Sequence, residues 1–285
     1  MSQPESRYYY SQRLKLHYVV WGDEGKPPVM LIHGGRDHCR NWDAVALALR
    51  DRYTIYAPDL RGHGDSAPAL GGMYSLPEFV LDIATLVANL GAGPLTIIGH
   101  SLGGAIALQY TGTFPERLTK VVAIEGLGPP VIEHQPAHLR MRHWIDHMHE
   151  MERRQPRRYA SLEDATRRMM EANPRLRPEM ARHLTAHGTR RNDDGTLLWK
   201  FDNYVRLRSP YEFNLKDAQD IWSRIRVPVL LIKGRESWAP DPEKSGRVAA
   251  ISNYRSVVIQ DAGHWVHHDQ LEVFLAELRS FLAED

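Results

Sequence analysis

The sequence predicts an α/β protein: a mostly parallel sheet of about eight strands with an antiparallel N-terminal edge, helices on both faces, and a helical cap. Three observations carry this expectation. Six short apolar runs alternate with helix-length segments, two strand-like runs around a tight polar turn open the chain, and the strand-helix alternation lapses between Gly128 and about Ile225.

Taken in order, residues 7 to 21 read as two strands joined by a tight polar turn around Ser11 to Arg13, an antiparallel hairpin at one sheet edge. The runs PPVMLIHGG, RYTIYAPD, PLTIIGHS, LTKVVAIEG, VPVLLIKG and RSVVIQDAG supply the remaining strands. Each is continuously apolar, as strands covered on both faces must be. After Gly128-Pro129-Pro130 the pattern becomes helical. In HLRMRHWIDHMHEMERR, Met141, Trp144, Ile145, Met148 and Met151 fall near helical spacing. Ser161 with Asp164 resembles a capping box, Gly188 a helix stop, and NDDG at 192 to 195 a turn. The expected organisation is a core of residues 1–128 and 217–285 interrupted by a mainly helical insertion, 129–216.

With 285 residues, 42% of them hydrophobic, the chain can bury a full core. Its 36 Lys and Arg against 35 Asp and Glu leave no global field that would call for nucleic acid or an anionic membrane, so the expected partner is a small molecule. The lone Cys39 excludes an internal disulfide framework and a thiolate zinc cluster. The N-terminal stretch lacks the apolar core of a secretory signal, and no run approaches the roughly 18 apolar residues of a membrane span. A cytoplasmic protein is expected.

One motif carries chemistry. Gly99-His100-Ser101-Leu102-Gly103 sets a serine between glycines where a strand gives way to a helix. A nucleophile held on so sharp a turn crowds the positions two residues either side of it, and glycine relieves the crowding. A serine hydroxyl also needs a base. Of fifteen histidines, His264 stands just beyond the last strand run and before the final helix, at the strand edge where Ser101 emerges. His267 and His268, nearer that helix, read as solvated or structural. The backbone N–H groups of Leu102 and of Gly35, which follows His33-Gly34 after its strand, are suited to an oxyanion hole.

These residues resemble the α/β-hydrolase superfamily along the chain outside the insertion, in LIHGG at 31 to 35, PDLRGHGDS at 58 to 66, GHSLGG at 99 to 104 and DAGHWVHHDQLEVFLAELRSFL near the end. The style is similar to small bacterial esterases and serine hydrolase-like proteins. Haloalkane dehalogenases and epoxide hydrolases share the scaffold but place an aspartate where this chain has Ser101. The resemblance also implies an acid after the strand VPVLLIKG, commonly the aspartate of G-x-x-D. Here Gly234 is followed by Arg235, Glu236 and Ser237, so a serine stands in that place. Three carboxylates compete for the role: Glu125 at the end of the strand VVAIEG, Glu236, and Asp241. Glu125 is favoured, because its strand should neighbour the nucleophile strand and some superfamily members take their acid from that strand end.

The resemblance makes residues 129–216 a cap over the active site, whose Met, Trp and Leu side chains suit an acyl chain or an aromatic ring. Its arginine pairs are interleaved with acids and read as a mutually paired, solvated face. His143 and His147 stand four apart but lack the glutamate of H-E-x-x-H, so neither a metal nor any other cofactor is expected. The expected activity is a serine hydrolase of carboxylesterase type with a Ser101–His264–Glu125 triad. The alternatives are a thioesterase, a carbon–carbon bond hydrolase, and a hydrolase-like receptor for a small ligand.

Overall fold

Strand β1 (Glu5–Ser11) pairs antiparallel with β2 (Leu14–Trp21), and the two turn residues between them, Gln12 and Arg13, both have positive φ. Six further strands complete one sheet: β3 (Pro28–Ile32), β4 (Thr54–Pro58), β5 (Leu95–His100), β6 (Leu118–Ile124), β9 (Val229–Gly234) and β10 (Tyr254–Ile259). Their spatial order is β1-β2-β4-β3-β5-β6-β9-β10. All six are mutually parallel, and the antiparallel pairings are β1 with β2 and β2 with β4. This is a computed structural model, and it describes residues 3–129, 135–207, 209–211 and 213–284.

The apolar runs are continuous because each strand feeds two cores. In β3, Met30 and Ile32 face one side and Val29 and Leu31 the other; in β9, Val229 and Leu231 oppose Leu230 and Ile232. On the first side lie α2 (Leu76–Leu90), α3 (Leu102–Thr113) and α7 (Leu215–Trp222), contributing Phe79, Ile83, Ile106, Leu108 and Trp222. On the second lie α1 (Asp43–Leu49) and α9 (Leu271–Ala283), with Val45, Leu49, Phe274 and Leu278. A capping box of Ser75 and Glu78 starts α2, and the left-handed Gly91 ends it.

Between β6 and α7 stand α4 (Ala137–Arg153), α5 (Leu162–Ala172), α6 (Pro178–Gly188) and a small hairpin of β7 (Thr189–Arg191) and β8 (Leu197–Trp199). Residues 130–134, 208 and 212 of the expected insertion lie outside the described residues. The local signals hold: Ser161 Oγ accepts the Asp164 N–H at 3.1 Å, Gly188 ends α6, and NDDG turns β7 into β8. The apolar stripe of α4 behaves differently. No residue of α4 is buried, with Met141 37% and Ile145 41% exposed. The buried hydrophobic residues of this segment lie instead in two small clusters, one of Tyr159, Ala165 and Leu197, the other of Leu176, Ala181 and Leu184. Several of the arginines are paired at the surface, as Arg158–Asp194, Arg168–Glu171 and Arg182–Glu163. No helix among the described residues is long and apolar enough to cross a membrane.

Candidate active site

Ser101 sits between β5 and α3 with φ 53° and ψ −115°, a conformation few side chains adopt. Its N–H is held by the Ile124 carbonyl at 2.8 Å. The flanking glycines are sterically required. A Cβ on Gly99 would lie 2.1 Å from the Gly103 carbonyl oxygen, and one on Gly103 would lie 2.1 Å from that of Ile32. Further along, Gly104 and Gly126 let α3 press against the end of β6, where a Cβ on Gly126 would meet the Gly104 Cα at 2.5 Å.

Glu125 follows β6 directly and also has positive φ, 56°. Its side chain is fully buried, and its carboxylate accepts the Gly234 N–H at 2.6 Å, the Ser237 hydroxyl at 2.5 Å and His264 Nδ1 at 3.3 Å. Because β5, β6 and β9 are neighbours, the strand ends bring the elbow, Glu125 and Gly234 to one edge. Glu236 is exposed, and Asp241 accepts the Glu243 N–H and faces Lys244. Of the three carboxylates weighed, Glu125 is the one hydrogen-bonded to His264.

In the loop after β3, a Cβ on Gly35 would lie 3.9 Å from Leu102 Cδ2, and one on Gly34 would lie 3.3 Å from Ser101 Cβ. The β3 loop and the elbow are therefore immediate neighbours. His33 fixes that loop: its Nδ1 donates to the Gly34 carbonyl at 2.7 Å, and its Nε2 accepts the Leu60 N–H at 3.0 Å. Complete burial lowers its pKa to about 3, so it remains neutral.

Three contributors escaped the reading of the sequence. Ser237 occupies the place where the G-x-x-D pattern has an aspartate and donates to the Glu125 carboxylate; the departure from G-x-x-D was itself the signal. His100 is buried, and its Nε2 donates to the His264 carbonyl at 2.8 Å, tying the histidine loop to the elbow. Burial and the neighbouring His264 hold it neutral, far below the usual imidazole pKa. The exposed Trp238 stacks on the His264 ring with centroids 4.7 Å apart. Neither of these two contacts follows from spacing. His267 and His268 are both buried. His267 stacks on Trp42 at 4.6 Å and shares a hydrogen bond with Asn41 at 2.8 Å, and Asn41 in turn donates to Asp37. Burial raises the Asp37 carboxyl to about 7.

A cavity of about 190 Å³ lies elsewhere, lined among others by Ser6, His17, His38, Cys39, Arg40 and His187; none of Ser101, Glu125 or His264 lines it. The neighbourhood of Ser101 thus offers a strained hydroxyl, a buried carboxylate oriented by two donors, an imidazole against it, and a glycine loop alongside.

Comparison with known proteins agrees with this geometry at the level of family. A family profile described as alpha/beta hydrolase fold matches residues 27–271. The chain is similar to mouse (Mus musculus) epoxide hydrolase 4, 26% identical over 288 residues that cover 95% of this chain and 77% of that protein. It is also similar to an esterase of Mycobacterium tuberculosis, 28% identical over 265 residues that cover 92% of this chain and 84% of the relative. Among solved structures, the thioesterase domain from the curacin biosynthetic pathway superposes with a TM-score of 0.84 at 24% identity, covering 98% of this chain and all of that one. The chain belongs to the α/β-hydrolase fold family.

Proposed function

We propose that this hydrolase cleaves carboxylic esters of small to medium acyl or aromatic substrates through an acyl-enzyme. The carrying observation is the buried Glu125 carboxylate against His264 Nδ1, on the sheet edge where Ser101 is held in a strained turn. With Nδ1–H given to Glu125, the Nε2 lone pair of His264 accepts the Ser101 proton as Oγ attacks the carbonyl carbon. The negative oxygen is taken up by the N–H groups of Gly35 and Leu102. His264 returns its proton to the departing alkoxide; water, activated by the same nitrogen, then releases the acid and restores Ser101. Residues 129–216 form the cap over this site, and residues 1–128 with 217–285 the catalytic core.

The name of the mouse relative suggests epoxide opening, but the nucleophile chemistry favours esters. Attack on an epoxide by a carboxylate gives an ester that water can cleave. Attack by Ser101 would give an ether, which water cannot. The name of the mycobacterial relative supports the ester reading.

The test is mass-spectrometric mapping of a fluorophosphonate probe on the folded protein, followed by matched oxygen and sulfur esters. Labelling confined to Ser101, with faster turnover of the oxygen ester, is expected. Absence of labelling in a folded protein would overturn the proposal, and preference for the sulfur ester would turn it toward a thioesterase.

A further inference from the structure

Helix α6 carries His183 and His187 four residues apart, so both rings project from one face, with centroids 4.7 Å apart. That face lies against the start of α1, where Asp43 is nine-tenths buried. One donor atom from each of Asp43, His183 and His187 lies within 4.8 Å of the other two. His183 Nε2 is 3.1 Å from Asp43 Oδ2 and 3.2 Å from the Arg40 carbonyl.

At present the guanidinium of Arg40 serves this cluster. It binds Asp43 at 2.7 to 2.9 Å, and its Nη1 stands 3.5 Å from His187 Nδ1. Arginine only donates, so His187 must present a lone pair from Nδ1. A carboxylate oxygen and an imidazole lone pair thus already converge on one cationic group. Arg40 is the partner that an ion would displace, since one cation would replace another there, and its Nη2 already reaches out to Gln3 at the exposed edge of the cluster.

We infer that Asp43, His183 and His187 form a binding site for a divalent transition-metal ion of the zinc type, bridging α1 and α6. Two imidazole nitrogens and one carboxylate oxygen suit zinc, cobalt or nickel, and offer too few oxygens for calcium or magnesium. Binding releases the proton on His183 Nε2 and swings the Arg40 guanidinium toward solvent, leaving a fourth position to water. The ion then fastens the segment between β6 and α7 to the sheet domain.

Two other groupings are less suited, although the donor atoms of one of them, His17, Cys39 and Asp59, also lie within 4.8 Å of one another. His143 and His147 on α4 are both exposed. The buried His17, Cys39 and Asp59 are already committed to one another and to Ser6: His17 bonds Asp59 and Ser6, each at 2.7 Å, while Asp59 accepts the Cys39 and Asp65 N–H groups.

The experiment uses the full chain without a histidine tag, stripped with chelator and dialysed against micromolar zinc, with bound metal measured by elemental mass spectrometry. Cobalt absorption in the visible reports ligand geometry. One ion per chain is expected. H183Q/H187Q, checked for folding by circular dichroism, should weaken binding at least about tenfold, and R40A should strengthen it, a gain that misfolding cannot produce. H143Q/H147Q should bind like the parent chain. The inference is overturned if the parent chain takes up no metal, if H183Q/H187Q binds as tightly as the parent, or if the loss follows H143Q/H147Q instead. None of these readouts depends on esterase activity, so the site stands or falls separately from the proposed reaction.

Discussion

Replacing Glu125 by glutamine changes one oxygen to an amide and leaves the shape intact. The glutamine carbonyl can still accept the Gly234 N–H, now made at 2.6 Å, which turns the new NH2 toward Ser237 and His264. That NH2 donates where the carboxylate accepted, so His264 must offer a lone pair from Nδ1 and carry its proton on Nε2. In that tautomer it cannot take the Ser101 proton. The expected loss in kcat/KM is about 10³- to 10⁴-fold, or about 4 to 5.5 kcal/mol of transition-state stabilisation. E125D retains the charge but draws it back by about one C–C bond, roughly 1.5 Å, and should lose activity to a lesser degree. A relocation completes the test. Because Ser237 Oγ stands 2.5 Å from Glu125 Oε2, an aspartate at 237 places its carboxylate near the vacated position, and E125A/S237D should exceed E125A by at least about tenfold. The assay is initial-rate hydrolysis of a chromogenic ester, with probe labelling of Ser101 to count competent sites. If E125Q kept more than a tenth of the parent kcat/KM while E236Q abolished it, the assignment of the acid would be refuted.

Two further outcomes follow from the packing and the buried charges. G103A should cost at least about 3 kcal/mol, because its methyl would enter the Ile32 carbonyl and neither backbone can retreat; denaturant unfolding measures it, and a loss below about 1 kcal/mol would contradict the geometry. His33, His63 and His268 are buried neutral, with pKa values lowered by desolvation to about 3, 4 and 3. The unfolded chain protonates these positions below about 6.5 and the folded one does not, so unfolding takes up protons, and stability is lost as pH falls from about 6.5 toward 4. Each histidine steepens the fall by up to about 1.4 kcal/mol per pH unit. Asp37, raised to about 7, acts oppositely over its own interval, losing stability as pH rises from about 4 to 7. With three histidines against one carboxyl, chemical denaturation at pH 5 and pH 7 should show the lower stability at pH 5.

The central strands were legible because they are buried on both faces, and a run such as VMLI, too short for a helix and closed by His33-Gly34-Gly35, reads as a covered strand. The elbow was legible because a strained backbone demands glycine at fixed offsets, which Gly99 and Gly103 satisfy. Glu125 could be proposed from strand adjacency alone, but Ser237 and His100 could not, since each acts through a contact between elements far apart in the chain. Whether the α4 stripe is covered was illegible for a related reason: helical spacing of Met141, Trp144 and Ile145 says which side chains share a face, and nothing of whether another element comes to cover that face. Likewise His267 could not be told from a solvated residue without knowing that Trp42 and Asn41 meet it.

The contrast between α3 and α4 bears on hydrogen exchange. Ten of the twelve residues of α3 are buried, whereas α4 buries none of its seventeen. The amides of α3 can exchange only through near-global opening, while those of α4 need only local fraying. The helix that follows Ser101 should therefore stay protected for as long as the protein stays folded, with the amides of α4 exchanging orders of magnitude faster. The molecule would thus combine a still floor beneath Ser101 with a separate surface that opens without disturbing it.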